Sequence, residues 1–171
     1  SAHVANEHPE SDFQVNVLPV RSIIEVCRKR NLVPTIIFPS TACVYGLADI
    51  SGGPIKESVA PHPTTVYECH KLAAENYLRY FAQAGWCRSA SIRLPNVYGP
   101  RQRPDLEGGV VAIFYDLMKK NKNVTFFGDG NQTRDWIHVE DIIKAFFIVL
   151  EKSLSNFEII TLGSGIRNTL W

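Results

Sequence analysis

The segment Tyr67-Glu68-Cys69-His70-Lys71 places a tyrosine and a lysine four residues apart within a helical pattern. At that spacing the two side chains share one helix face, one turn apart. An ammonium held beside a phenol favours the phenolate and lowers the phenol pKa toward the working pH. Such a tyrosine can take a proton from an alcohol, or return one, while a hydride moves. The same spacing is common on solvated helix faces that do no chemistry, so its weight comes from its surroundings.

Three other segments supply those surroundings. Pro39-Ser40-Thr41-Ala42-Cys43-Val44-Tyr45-Gly46 directly follows the apolar run Ile36-Ile37-Phe38. A hydroxyl at the carboxyl edge of a parallel strand stands where open α/β sheets bind ligands. The plainer reading is that Ser40 and Thr41 cap or turn the chain. Arg93-Leu94-Pro95-Asn96-Val97-Tyr98-Gly99-Pro100 closes a second strand pattern and, taken alone, is a Pro-Gly turn with an incidental asparagine. The stretch from Gly128 to Asp141 contains Arg134, whose planar fork of donors suits a diphosphate. Its plainer reading is a surface salt bridge with Asp135 or Glu140.

Helices and strands must alternate to hold these segments. Apolar residues from Phe13 to Cys27 recur at helical spacing, and Pro19 marks either a helix start or a kink. Pro34–Phe38 has strand character, and Tyr67–Phe81 is a second helix with Gly85 as its stop. Ser89–Leu94 follows as a strand, Val110–Lys120 as a helix, Asn123–Phe127 as a short strand and Gly128–Asn131 as a turn. Asp141–Glu151 reads as a helix and Glu158–Leu162 as the last strand. Strands separated by helices of this length predict an α/β fold with a parallel sheet.

Composition narrows the class. The 171 residues are 45% hydrophobic and 20% charged, with a net charge of +1. That balance carries no broad basic footprint for nucleic acid. The longest apolar runs are far too short for a membrane span, and the first residues lack the pattern of a secretion signal. Cys27, Cys43, Cys69 and Cys87 are widely spaced, which reads as reduced thiols with no metal site, in a soluble cytoplasmic protein.

The four segments, in this order and at these strand ends, resemble the extended short-chain dehydrogenase/reductase family, in particular its nucleotide-sugar epimerases and dehydratases. The resemblance runs from about Asp12 to Gly165. It implies the C-terminal part of a Rossmann-like parallel sheet with flanking helices, plus a small substrate-binding lobe. Residues 1–100 would form a partial NAD-binding domain, and residues 101–171 a partial nucleotide-sugar lobe interleaved with it.

It further implies NAD (or NADP) as cofactor and a nucleotide diphosphate sugar of the UDP-glucose/UDP-galactose type as substrate. Thr41 would hydrogen-bond the reacting hydroxyl, Tyr67 would be the acid/base, and Lys71 would hold the nicotinamide ribose. Asn16 and Pro95 would lie at the cofactor. Asn96, Val110, Phe127 and Arg134 would line the substrate site. A homodimer would pair through the Pro19–Arg30 and Tyr67–Gly85 helices.

Small differences bear on the reaction. The family's 4,6-dehydratases carry Asp-Glu directly after the catalytic threonine, where this chain has Ala42 and Cys43. A 4-epimerase needs only the Thr/Tyr/Lys set, because a keto-sugar intermediate rotates and takes the hydride back on its other face. A reductase of similar sugars would use the same three residues, and a dehydratase remains the other alternative.

One element of the family pattern is not in this sequence. None of the eleven glycines precedes Gly46, and no three have the G-x-x-G-x-x-G spacing that cradles a cofactor pyrophosphate. The expectation is therefore a truncated view of such an enzyme. The alternative is a non-catalytic relative that binds nucleotide sugar or a protein partner.

Overall fold

The structure is a computed structural model that describes residues 2–46, 53–105, 109–125 and 128–169. Two compact units divide the chain, one from Ser1–Leu94 with Phe146–Thr161, the other from Pro95–Ala145 with Leu162–Trp171.

The first unit is built on a three-stranded parallel sheet in the order β1-β2-β5, with β1 Thr35–Thr41, β2 Arg88–Leu94 and β5 Phe157–Thr161. In register, Thr41 pairs with Leu94 at the carboxyl end of β1. β1 runs three residues beyond the expected strand, through Pro39. Proline lacks a backbone N–H, and β1 is an edge strand of this sheet, which tolerates the loss. β2 is central and its residues Ser89 to Arg93 are all buried.

Helices α1 (Ala2–Glu7), α2 (Pro9–Asn16), α3 (Leu18–Lys29) and α4 (Val66–Gln83) complete this unit together with the last turns of α6 (Val139–Glu151). Pro19 resolves as a helix start. The chain breaks at Val17, and Pro19 occupies the first turn of α3, where its missing N–H has no helical partner to lose. Val20 and Ile24 of α3, four apart, pack with Phe38 of β1 and with Ala74, Leu78, Phe81 and Ala82 of α4.

α4 starts with a capping box. The Thr65 hydroxyl accepts the Glu68 N–H at 3.3 Å, and Glu68 Oε2 accepts the Thr65 N–H at 3.1 Å. That reciprocal pair fixes where the helix begins and therefore which face carries Tyr67 and Lys71. At the other end Gly85 adopts φ +74°, the left-handed conformation that stops a helix.

The second unit holds a two-stranded parallel ladder, β3 (Asn96–Tyr98) with β4 (Trp136–His138), together with α5 (Val110–Lys119) and the first turns of α6. The sequence pattern did not predict α1, β3 or β4, which are three to six residues long and too short for periodicity to register. The short strand expected over Asn123–Phe127 is not formed at 123–125, and residues 126–127 lie outside the described residues. Among the described residues, no helix is long and apolar enough to cross a membrane.

Candidate functional site

In the first unit, Thr41 ends β1 and is buried, and its Oγ1 accepts the Cys43 N–H at 3.2 Å. That bond starts the 3-10 turn Ala42–Tyr45, so the hydroxyl sits at the lip of the sheet. Tyr67 and Lys71 stand on the opening turns of α4. Lys71 Nζ lies 5.7 Å from the centre of the Tyr67 ring and 4.9 Å from that of Phe38. It donates to the carbonyl oxygen of Pro39 at 3.0 Å, which ties the helix to the end of β1.

The electrostatics differ from the sequence expectation. The Tyr67 phenol is pushed up to about 12, first by burial and then by the negative character of Cys43 and Asp12, while a hydrogen bond with Thr41 pulls the other way. The Lys71 ammonium, which donates to the Pro39 carbonyl and stands 5.7 Å from the centre of the ring, is not among the groups that shift the phenol. Burial also lowers the pKa of Lys71, and the Asp12 carboxylate opposes that shift. With these neighbours Tyr67 is a proton donor at neutral pH. Work as a base requires positive charge to be brought nearer its oxygen.

Asn16, the last residue of α2, is half-buried and donates through Nδ2 to Asp12 Oδ1 at 3.0 Å and to the Asp12 carbonyl at 3.1 Å. Beneath the Thr41/Tyr67/Lys71 face lies a fully buried ion pair. Arg93 donates from Nε to Glu75 Oε1 at 3.0 Å and from Nη2 to Glu75 Oε2 at 2.6 Å. Ser40 Oγ donates to the same Glu75 Oε1, and Arg93 stacks on the Tyr45 ring at 4.7 Å. Tyr45 and Thr161 then share a hydroxyl hydrogen bond of 2.8 Å. Side chains from β1, β2, β5 and α4 are bound into one network there. Glu75 follows Lys71 by four residues, and that spacing was the one signal in the sequence that it shares the helix face.

Pro95, Asn96, Val110 and Arg134 belong to the second unit. Pro95 leads directly into β3, and Asn96 donates both its N–H and its Nδ2 to the Asp135 carbonyl, each at 3.2 Å. Val110 opens α5 and is half-buried. Phe127 lies outside the described residues.

Arg134 is exposed, and its backbone pairs with Asn168 through bonds of 2.8 and 3.0 Å. Its Nη1 donates to the Thr133 carbonyl at 2.9 Å, and among the described residues no carboxylate pairs with it. The salt bridge with Asp135 or Glu140 that would have made it a plain surface residue is not formed. Asp135 instead accepts Ser164 N–H, Ser164 Oγ–H and Gly165 N–H at 2.6 to 3.0 Å.

Comparison with known proteins identifies the family and the fold. The family model for the NAD dependent epimerase/dehydratase family matches residues 1–163. The UDP-glucose 4-epimerase of Thermotoga maritima, solved with UDP-glucose, superposes with a TM-score of 0.91 at 33% identity, covering 99% of this chain and 54% of that one. The UDP-glucose 4-epimerase of Thermus thermophilus, solved with NAD, gives a TM-score of 0.88 at 34% identity over 99% of this chain and 55% of that one. The dTDP-4-dehydro-6-deoxyglucose reductase of Escherichia coli is 34% identical over 173 aligned positions, which cover 98% of this chain and 52% of the reductase. The chain spans about half the length of the curated relatives it matches.

Proposed function

The chain belongs to the NAD dependent epimerase/dehydratase family, and we propose that it carries the catalytic face of an NAD-dependent nucleotide-sugar 4-epimerase acting on UDP-glucose/UDP-galactose type substrates. The convergence of Thr41, Tyr67 and Lys71 at the carboxyl end of β1 is the observation that carries this reading. The residues present fit one end of the cofactor. Lys71 spends one of its three N–H groups on Pro39 and has donors left for the hydroxyls of a nicotinamide ribose. The pyrophosphate cradle has no counterpart among the glycines of this sequence. Bound there, NAD would supply the hydride acceptor and donor for the sugar carbon.

The chain's own residues handle the proton. Thr41 hydrogen-bonds the sugar hydroxyl and orients it toward Tyr67. Once bound ligands bring positive charge near it and its own proton has left to solvent, the Tyr67 phenolate takes the hydroxyl proton as the alcohol becomes a ketone, and gives it back when the ketone is reduced from its other face. Lys71, kept an ammonium, supplies the positive charge that a phenolate needs. No carboxylate stands at Ala42 or Cys43 to remove a second proton, which supports epimerisation over dehydration. Asn96 and Arg134 would hold the diphosphate, and Val110 and Phe127 would line the base pocket.

A homodimer through α3 and α4 is part of the same reading, supported by Ile23 and Val26 of α3 and Tyr77 and Tyr80 of α4, all exposed. The four widely spaced cysteines support a cytoplasmic location. A second reading, a non-catalytic nucleotide-sugar binder, is favoured by the lack of a pyrophosphate-cradling glycine spacing in this sequence.

Turnover of UDP-glucose by the protein expressed from its whole gene separates the two. Tyr67→Phe should lower turnover at least about 100-fold and leave UDP-glucose affinity unchanged. Arg134→Ala should weaken that affinity by about 1.5–3 kcal/mol. Unimpaired turnover in Tyr67→Phe removes the assigned role, and UDP-glucose binding without any turnover favours the binder.

A further inference from the structure

Helices α2 and α4 are joined beside the Tyr67/Lys71 face by a contact that neither helix needs for its own stability. His70 Nδ1 and Asp12 Oδ2 are 2.7 Å apart, and the two side chains are only 19% and 11% exposed. The other Asp12 oxygen accepts Asn16 Nδ2 at 3.0 Å. Phe13 packs against the His70 ring at 5.5 Å, the two planes crossing at 72°. One turn earlier, Asn6 Oδ1 accepts the Val66 N–H at 3.1 Å. The start of α4 is already set by its own capping box, so these contacts fix its rotation and its position against α2. His70 lies on α4 between Tyr67 and Lys71 in sequence. A helix is rigid over one turn, so holding His70 holds the other two.

We propose that Asp12 and His70 are positioning residues, whose contact locks α2 onto the opening turns of α4, sets Tyr67, Lys71 and Asn16 in one arrangement, and brings the Asp12 carboxylate to the turn of α4 that carries Lys71. This rests on the reading of Tyr67 and Lys71 as catalytic. The groups facing Lys71 and Tyr67 make the charge assignment specific. Asp12 comes from α2, Cys43 from the 3-10 turn, and β1 contributes the neutral Thr41 hydroxyl, the Pro39 carbonyl and the Phe38 ring. Of these, Asp12 is the group that opposes the effect of burial on the lysine, and its negative charge also discourages ionisation of the phenol. Asp12 thus acts in the same direction as burial and Cys43 on the phenol, and against burial on the lysine.

The test labels lysines with acetic anhydride across a pH series, in the protein from its whole gene, and reads the Lys71 peptide by mass spectrometry. In Asp12→Asn the midpoint for Lys71 labelling should fall below that of the wild type, because the charge favouring the ammonium is gone while the burial remains. Mere loosening of the helix pair would return Lys71 to water and move the midpoint up. An unchanged or raised midpoint therefore overturns the electrostatic role.

His70→Ala should lower kcat about 10- to 100-fold through misplacement of the dyad, with KM for UDP-glucose little changed. His70→Asn, which puts an amide N–H near the place of Nδ1, should recover most of the loss. A His70→Ala variant as fast as wild type, or a His70→Asn variant as slow as His70→Ala, overturns the positioning role. Absence of turnover in the wild type would refute the catalytic reading instead, and the labelling midpoint would still decide the claim for Asp12.

Discussion

Replacing Arg93 by methionine tests the reasoning about the buried network most severely. Arg93 and Glu75 are both 0% exposed, and the guanidinium makes two of the three hydrogen bonds that the Glu75 carboxylate receives. Methionine keeps much of the volume and removes the charge, leaving Glu75 with the Ser40 hydroxyl alone. Stranding one member of a buried ion pair costs about 3–5 kcal/mol, because the remaining charge keeps its desolvation penalty and loses its attraction. One Arg93 nitrogen, Nη1, is buried without a partner, so the native pair is itself imperfectly satisfied. Replacing both members together, Arg93→Met with Glu75→Leu, should therefore recover most of the single-variant loss. Urea unfolding followed by circular dichroism reads both, as a fall in the midpoint with little change in slope. A single variant within about 1 kcal/mol of wild type, or a double variant as unstable as the sum of the singles, would refute the argument that the pair is dry and mutually dependent.

Three further outcomes follow from local geometry. Thr65→Ala removes the acceptor of the Glu68 N–H and half of the capping box, and should cost about 0.5–2 kcal/mol in the same unfolding assay. At Gly46, φ is +47° and an added Cβ would stand 1.9 Å from the His62 carbonyl oxygen. Gly46→Ala should cost about 2–5 kcal/mol from strain and overlap together, and a variant as stable as wild type would show that the 42–46 turn can shift freely. Finally, the Tyr67 phenol is raised from 10.0 to about 12, so between those values the folded chain holds a proton that the unfolded chain has lost. Stability falls with rising pH when the folded state binds more protons, so this contribution is intact below pH 10.0 and declines through about 12. Comparing unfolding of wild type and Tyr67→Phe across that range isolates it, and equal slopes would remove the shift.

Sequence spacing grouped Tyr67 with Lys71, but the phenol is raised where that spacing predicts it lowered, and the reason is physical. The i, i+4 relation of Tyr67 and Lys71, the hydroxyl of Thr41 after an apolar strand and the stop at Gly85 are all consequences of backbone geometry within a few residues. The helix start at Pro19 is of the same kind. The ionisation of Tyr67 is not local. It depends on how deeply the ring is buried, on the turn of Lys71 toward Pro39, and on Asp12, which reaches α4 from another helix and is bound to a histidine 58 residues away.

No pairing rule along the chain could have joined Asp12 to His70, and Glu75 to Arg93 was visible only from the Glu75 side. What local sequence conveys is which groups share a surface, whereas the sign of their interaction is fixed by whatever the fold brings between and behind them. On the face of Tyr67 and Lys71 that intervening chemistry is burial first, joined by Cys43 and by the Asp12 carboxylate from another helix. A phenol can act as a base there only once bound ligands bring positive charge nearer its oxygen than the Asp12 carboxylate brings negative.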